Sequence, residues 1–176
     1  MKILAFGASY SSNSINRIFA AYVANQIQNA EVEVLDLNQF DLPLFTVDKE
    51  KEVGASNVAR EFLAKLESAD LLVVSMAEHN GSYSTAFKNL FDWTSRVKLK
   101  MFENEKMILL SAAPGPRGGK GVLDAALIRF PIHGAQILMS FSLPKFADNF
   151  DEINGIVNED LRHELFSKLN ALDLRV

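Results

Sequence analysis

Residues 71–76 read Leu-Leu-Val-Val-Ser-Met, a short run with apolar residues on both of its alternating faces. A strand at the centre of a parallel sheet is covered by helices on both sides, and it carries this pattern. Four other segments have a strand-like composition or alternate with period two. They are Lys2–Phe6, Glu31–Asp36, Lys106–Ala112 and Gly134–Ser140. The sequence therefore predicts five strands.

Helical periodicity fills most of the chain between these strands, with apolar residues recurring at offsets of three and four. The predicted helices are Ser14–Gln28, Ser56 to about residue 68, Ser84–Val97, Val122–Phe130 and Asn158–Asp173. The stretch Leu37–Gly54 contains Pro43 and many acidic residues, and we predict an irregular surface connection there.

Strands that alternate with helices form parallel βαβ units. We therefore predict an α/β fold, a three-layer sandwich around a five-stranded parallel sheet, in a single domain of residues 1–176. Periodicity alone does not decide whether the strand order is the flavodoxin-like 2-1-3-4-5.

The composition excludes several function classes. The 176 residues carry a net charge of -4, so a broad basic face for nucleic acid is not expected. There is no cysteine, which excludes disulfides, a thiolate nucleophile, a cysteine-ligated zinc and an iron–sulfur cluster. Three scattered histidines do not suggest a metal site, and no apolar run approaches the ~20 residues of a membrane span. The first residues are too short and too soon broken by Gly7 for a signal peptide, so we expect a cytoplasmic protein.

The first loop, residues 7–17, follows the first predicted strand and holds four serines and two asparagines. Hydroxyls, amides and free backbone N–H groups at the positive end of a helix suit an anion such as phosphate. The alternative is ordinary helix capping, for which one of these residues would be enough. The loop has only one glycine, so it is not a G-x-G-x-x-G dinucleotide loop. Gly119-Lys120 is followed by Gly121 rather than Ser or Thr, which excludes a nucleoside triphosphatase loop there.

The second loop, residues 77–82, follows the third predicted strand and reads Ala-Glu-His-Asn-Gly-Ser. Gly81 allows a close approach to a flat ligand, and Asn80 offers the donors and the acceptor that a pyrimidine-like edge needs. The alternative is a plain turn in which Ser82 caps the next helix.

The third loop, residues 111–121, follows the fourth predicted strand and contains two prolines and four glycines. It can present backbone N–H groups to a ring, with Arg117 neutralising charge above it; the alternative is a surface turn. Because ligands of open parallel sheets bind outside the carboxyl ends of the strands, we predict that the three loops share one site.

Three motifs resemble those of the NADPH-dependent FMN reductase family, which includes chromate, quinone and azo-dye reductases of flavodoxin-like fold. The first loop resembles the family's phosphate loop. Residues 78–82, followed by 87–93 (Phe-Lys-Asn-Leu-Phe-Asp-Trp), are similar to its P-E-Y-N-G-S and L-K-N-x-x-D-W motifs. The third loop resembles S-x-x-P-G-x-x-G-G, and the resemblance covers about residues 1–172.

Two departures from the family pattern stand out. The common form of the first loop is G-S-x-R-x-x-S, whereas here Tyr10 stands in place of the arginine and the loop is one residue longer. In the second loop, Ala77 and His79 replace the proline and the tyrosine.

The resemblance implies an FMN cofactor and NADPH or NADH as cosubstrate; from the composition we expect no metal. It implies that the FMN phosphate contacts Ser9, Ser11, Ser14, Ile15 and Asn16. It implies that the isoalloxazine ring contacts Glu78, His79, Asn80, Gly81, Ser111, Pro114, Gly115, Arg117, Gly118 and Gly119. No catalytic side chain is implied, because the flavin carries the chemistry. A single phosphate-type loop without a second nucleotide motif favours FMN over FAD.

The resemblance also implies a homodimer, or a tetramer, paired through the helix that corresponds to Ser84–Val97. That helix ends in Phe91, Trp93 and Val97, which is more apolar surface than one buried face requires. The alternative is that Trp93 fills the core of its own chain.

The expected function is an FMN-dependent oxidoreductase that passes electrons from NAD(P)H to a small-molecule acceptor. The acceptor would be a quinone, an azo compound, a metal oxyanion or free flavin. A flavodoxin-like electron carrier is an alternative, although such carriers usually have a strongly acidic face. A non-catalytic relative that has lost flavin is another.

Overall fold

A five-stranded parallel sheet in the order β2-β1-β3-β6-β7 forms the centre of the molecule. The structure, a computed structural model, describes residues 1–54 and 56–174. Its elements in chain order are β1 (Lys2–Ala8), α1 (Ile15–Ala24), β2 (Glu31–Val34), a 3₁₀ helix (Leu37–Gln39), α2 (Val47–Val53), α3 (Asn57–Glu67), β3 (Leu71–Met76), β4 (Glu78–His79), β5 (Ser82–Tyr83), α4 (Thr85–Val97), β6 (Lys106–Ala112), α5 (Lys120–Ile132), β7 (Gln136–Leu143), α6 (Phe146–Asn149), β8 (Phe150–Asp151), β9 (Gly155–Ile156) and α7 (Glu159–Asn170).

The predicted fold class is confirmed. Every pairing in the main sheet is parallel, and the order of its five strands is the flavodoxin-like 2-1-3-4-5 that periodicity alone left open. Within the described ranges, no helix is long and apolar enough to cross a membrane. The predicted domain of residues 1–176 includes residues 55, 175 and 176, which lie outside those ranges.

Two apolar cores flank the sheet because successive side chains of a strand point to opposite faces. Leu72 and Val74 of β3 pack into the core that includes residues of α3, α4 and α5. Leu71 and Val73 pack into the core that includes residues of α1 and α7. Because helices cover both faces of β3, five of its six residues are apolar, and Ser75 is the buried exception.

Several predicted boundaries differ from the structure. The helix predicted to reach Gln28 ends at Ala24, and the strand predicted to start at Gly134 starts at Gln136. Gly134 has a φ of 97°, and a Cβ there would lie 2.7 Å from the Cα of Glu103, so it forms a close turn rather than a strand. Strand β7 continues past the predicted end at Ser140 to Leu143, because it pairs with β6 up to Ala112, the last residue of β6.

The connection Leu37–Gly54 is not wholly irregular, contrary to the prediction. It contains the 3₁₀ helix and α2, which has no buried residue and therefore shows no apolar stripe in the sequence. The Thr46 hydroxyl accepts a hydrogen bond from the backbone N–H of Lys49 and caps α2. An ion pair of 2.7 Å between Glu50 and Arg96 connects α2 to α4.

Candidate functional site

The three loops lie side by side at the carboxyl end of the sheet, as predicted. They follow β1, β3 and β6, which are consecutive neighbours in the sheet. From β1 the chain continues to β2 on one side of β1, and it then crosses over to β3 on the other side. This is the switch point of strand order, where ligands of open α/β sheets bind.

Asn16 connects the first loop to the neighbouring strands. Its side chain is 4% exposed, and its Oδ1 accepts hydrogen bonds from Ser75 Oγ (2.7 Å) and Ala112 N (2.9 Å). Its Nδ2 donates to the carbonyl oxygen of Ala112 at 3.1 Å. The carboxamide implied as a phosphate contact therefore faces the sheet and braces α1 against β3 and β6.

Helix capping and a free helix end both occur in the first loop. Ser14 is the N-cap of α1, and its hydroxyl accepts from Arg17 N at 3.2 Å. The backbone N–H groups of Ile15 and Asn16 are in the first turn, which helix geometry directs toward the loop. The first turn of α1 holds no acidic residue, while Ser11 is exposed beside it. This end of α1 is therefore suited to an anion.

Ser9 and Gly7 determine the shape of the same loop. The Ser9 hydroxyl, nearly buried, accepts from Ser11 N at 3.2 Å. A Cβ at Gly7 would lie 2.3 Å from Arg17 N, so only glycine lets the start of α1 approach β1 this closely.

Arg17 braces the first loop from the side of β2. Its guanidinium donates to the carbonyl oxygen of Ser12 (2.6 Å) and forms a 2.7 Å ion pair with Asp36. The backbone N–H of Asn38 is the main cause of the lowered pKa of Asp36, and Arg17 contributes to it. Sequence reasoning missed Asp36, whose carboxylate offsets the Arg17 charge.

Tyr10, in the place of the family's arginine, also holds the loop. Its hydroxyl donates to the carbonyl oxygen of Phe40 at 2.9 Å. Burial raises the pKa of Tyr10 to about 12, with a smaller contribution from the Asp41 charge. Tyr10 therefore stays neutral and donates its hydrogen bond to the connection Leu37–Gly54, to which Phe40 belongs.

The second loop is a β-hairpin. β4 and β5 pair antiparallel, and the turn residues Asn80 and Gly81 have φ angles of 51° and 77°. Positive φ at both central positions defines a type I′ turn, which favours Asn-Gly. The alternative interpretation is therefore right about the turn, which leaves His79 and Asn80 exposed, but wrong about the cap. Ser84 caps the next helix, not Ser82: its hydroxyl accepts from Phe87 N and donates to the carbonyl oxygen of Ala8.

The third loop is held from below by two hydroxyls. Ser111 and Ser142 both donate to the carbonyl oxygen of Gly118, at 2.8 and 3.0 Å. Gly118 and Gly119 have φ angles of 61° and 77° and are buried. The exposed residues of the loop among the predicted contacts are Pro114, Gly115 and Arg117.

Glu78 connects the second and third loops. Its Oε2 accepts from Val122 N at 3.0 Å, and its Oε1 lies 3.7 Å from Nη2 of Arg117. All predicted contacts thus lie along one sheet edge, although Asn16, Ser111 and Glu78 use their side chains within the protein. Among residues 1–54 and 56–174, no group of three or more His, Cys, Asp or Glu could hold a metal ion.

An apolar groove of about 460 Å³ lies between α4 and α5. Leu99 and Ile128, which line it, are 70% and 74% exposed. Two further lining atoms, Tyr83 Oη and His133 Nε2, are buried without a hydrogen-bond partner in the described part of the chain.

Trp93 does not contribute to that groove, contrary to the argument from its helix. It is 1% exposed, its Nε1 donates to the carbonyl oxygen of Pro43 at 2.7 Å, and its ring packs edge-on against Phe45. Trp93 therefore fills the core of its own chain.

Comparisons with known proteins agree with this architecture. The family model for NADPH-dependent FMN reductase matches residues 1–148. An uncharacterized MG342 homolog from Mycoplasma pneumoniae is 27% identical over 146 residues, 80% of this chain and 86% of that protein. An NAD(P)H:quinone oxidoreductase from Solanum tuberosum is 28% identical over 157 residues, 84% of this chain and 76% of that protein.

The solved structure of FerB, a flavoenzyme NAD(P)H:(acceptor) oxidoreductase from Paracoccus denitrificans, is similar with a TM-score of 0.72. The match covers 96% of this chain and 95% of that one at 17% identity, so the likeness is one of fold.

Proposed function

The chain belongs to the NADPH-dependent FMN reductase family, and from this premise we propose that it binds FMN at the three loops and uses NAD(P)H to reduce a small-molecule acceptor. The observation that carries the proposal is the arrangement at the switch point. A helix start without an acidic residue, an exposed hairpin turn and a glycine-rich loop meet there on adjacent strands.

The first loop would hold the FMN phosphate. The donors would be the backbone N–H groups of Ile15 and Asn16, together with the hydroxyls of Ser9, Ser11 and Ser14. The Arg17 charge is already paired with Asp36, so hydroxyls and the helix end would carry most of the binding.

The second and third loops would border the isoalloxazine ring. When bound, FMN supplies hydride acceptance from a nicotinamide and electron transfer to a second substrate. The exposed hairpin residues His79, Asn80 and Gly81 would lie against the ring, with Gly118 and Gly119 at its other border. The Asn80 carboxamide and the exposed guanidinium of Arg117 would stabilise negative charge near N1 and O2 of the ring.

Quinones are the first acceptor class that we propose, because a relative that matches most of this chain is a quinone oxidoreductase. Azo compounds, metal oxyanions and free flavin are further candidates.

We also propose that the protein forms a homodimer through the groove between α4 and α5. The exposed Leu99 and Ile128 would be covered by the second copy. Exposed apolar surface of this kind marks protein–protein contact sites, because covering it removes it from water.

The test is a flavin titration followed by steady-state kinetics. We expect FMN to bind at micromolar protein with a changed visible spectrum, more tightly than FAD or riboflavin. The loaded protein should then oxidise NADH or NADPH with a quinone as acceptor. Binding without NAD(P)H oxidation would favour an electron carrier, and no uptake of FMN would identify a relative that has lost flavin.

A further inference from the structure

Glu78 caps a helix that begins in a different loop. Helix α5 has Gly119 as its N-cap, no side-chain hydrogen bond at that cap and no acidic residue in its first turn. Its third backbone N–H, that of Val122, donates to Oε2 of Glu78 at 3.0 Å. A carboxylate from the β4–β5 hairpin therefore satisfies the start of α5.

The fit between this carboxylate and the helix start is close. A Cβ at Gly121 would lie 3.0 Å from Oε2 of Glu78, and a Cβ at Gly119 would lie 3.7 Å from the Cβ of Glu78. The Glu78 side chain is only 13% exposed, whereas the side chain of its ion-pair partner Arg117 is 80% exposed. The missing side chain at Gly121 thus leaves room for the Glu78 carboxylate, while Gly119 is in ordinary contact distance of it.

The two helix starts at the site differ in charge. No acidic residue lies in the first turn of α1, while the positive end of α5 is paired with the Glu78 carboxylate. The positive end of the α1 dipole is therefore available to an anion, whereas that of α5 already has a carboxylate partner.

We propose that Glu78 is a positioning residue: it fixes the spacing of the second and third loops, and its charge neutralises the start of α5. This inference rests on the proposed function, because the ligand between these loops would be FMN. The residue acts on the ring through the loops rather than by contact with the phosphate.

Two variants separate the hydrogen bond from the charge, and a third is a control. Glu78→Gln keeps an acceptor oxygen for Val122 N–H but loses the charge, and Glu78→Ala loses both. Glu159→Gln is the control for loss of a carboxylate near a helix start, since Glu159 lies in the first turn of α7, a helix that does not contribute to the three loops.

In the ligand-free protein, we expect hydrogen exchange of the Val122 amide to speed up about tenfold in Glu78→Ala and less in Glu78→Gln. With ligand, Glu78→Ala should weaken FMN and riboflavin by the same factor, roughly tenfold, because the effect is on the ring and not on the phosphate. The midpoint potential of bound FMN should rise in Glu78→Gln, because a negative charge near the ring is removed.

The outcomes are distinguishable. If the parent protein does not bind FMN, the proposed function is overturned and the role of Glu78 toward FMN falls with it. If the parent binds FMN but both Glu78 variants keep its affinity, its potential and the Val122 exchange rate, only the inference on Glu78 is overturned. Changes of equal size in Glu159→Gln would also contradict it.

Discussion

The carboxamide oxygen of Asn16 accepts a hydrogen bond of 2.7 Å from the hydroxyl of Ser75, across the boundary between α1 and β3. Both side chains are buried, and the same carboxamide pairs with the backbone of Ala112 in β6. One side chain therefore holds the first loop in register with the strands that carry the second and third loops.

Asn16→Ala should destabilise the ligand-free protein by about 3 kcal/mol, because it leaves buried groups of Ser75 and Ala112 without partners. Urea denaturation measures the loss. The control is Asn13→Ala, an exposed asparagine of the same loop, which should change stability by about 0.5 kcal/mol or less. Equal effects of the two substitutions would show that the buried network is unimportant.

Ser11→Ala and Ser14→Ala should differ in their effects on stability. Ser11 is exposed, so its loss should weaken FMN binding roughly tenfold to a hundredfold and leave folding unchanged. Ser14 also caps α1, so its loss should cost about 1 kcal/mol of stability as well. Titration with FMN and with riboflavin, which has no phosphate, measures the effect. Ser167→Ala on α7 is the control, and an equal loss of riboflavin affinity in Ser11→Ala would contradict the placement of the phosphate.

Asn80→Gly removes the hairpin carboxamide without straining the type I′ turn, because glycine adopts the φ of 51° at no cost. Asn80→Ala would add strain of about 1–2 kcal/mol. We expect Asn80→Gly to slow reduction of bound FMN by NAD(P)H and to lower its midpoint potential. Stopped-flow absorbance and a redox titration test this, and if neither quantity moves, the hairpin does not lie beside the ring.

Glu105→Gln should make folding less sensitive to pH. Burial and the nearby charges of Glu67 and Asp70 raise the pKa of Glu105 to about 7, against a smaller opposing effect of Lys98. Between pH 4.5 and about 7 the unfolded chain loses this proton while the folded chain keeps it, so stability falls as pH rises.

The difference in unfolding free energy between variant and parent should therefore favour the variant more at pH 8 than at pH 4, by about 1 kcal/mol. The effect is this small because solvent screens a partly exposed carboxyl. Urea denaturation at both pH values measures this gain. Glu31→Gln, at an exposed position, is the control. A gain at pH 4 that equals the gain at pH 8 would be evidence against the raised pKa.

Ile128→Lys should dissociate the proposed dimer without unfolding the chain, because Ile128 is 74% exposed and lines the groove between α4 and α5. Sedimentation equilibrium at micromolar concentration should give a dimer for the parent and a monomer for the variant. Ile153→Lys, at a 91% exposed position between β8 and β9, should stay dimeric. A monomeric parent would rule the dimer out.

The sequence predicted the buried parts of the fold best. The bounds of β3 and β6 match the prediction, because strands covered on both faces are mostly apolar along their length. The cap at Ser56 was also predictable, since a serine directly before an amphipathic helix commonly caps its first turn with its hydroxyl. Helix α2 was not, because it buries nothing and leaves no periodic pattern.

The features that the sequence did not predict depend mostly on contacts between segments that are distant in the chain. Trp93 suggested an interface because its cover, Pro43 and Phe45, comes from a connection 50 residues earlier. Arg17 lies in the loop predicted for phosphate, but its ion-pair partner Asp36 belongs to a neighbouring element, and the pairing could not be inferred from the sequence. The Asn80-Gly81 pair, by contrast, is itself a signal for a two-residue hairpin, and it identifies the turn in the second loop without tertiary information.

The bond between Asn16 and Ala112 joins residues 96 positions apart, which has a consequence for biosynthesis. Chains emerge from the ribosome amino terminus first, and pairings between distant segments form slowly. When the first loop has been translated, neither of the strands that brace it exists, and β1 has only β2 for a neighbour until residue 71 appears. The first loop is the earliest of the three loops to be synthesised, yet it is among the last to reach its final arrangement. A nascent chain shorter than 112 residues cannot contain all three loops.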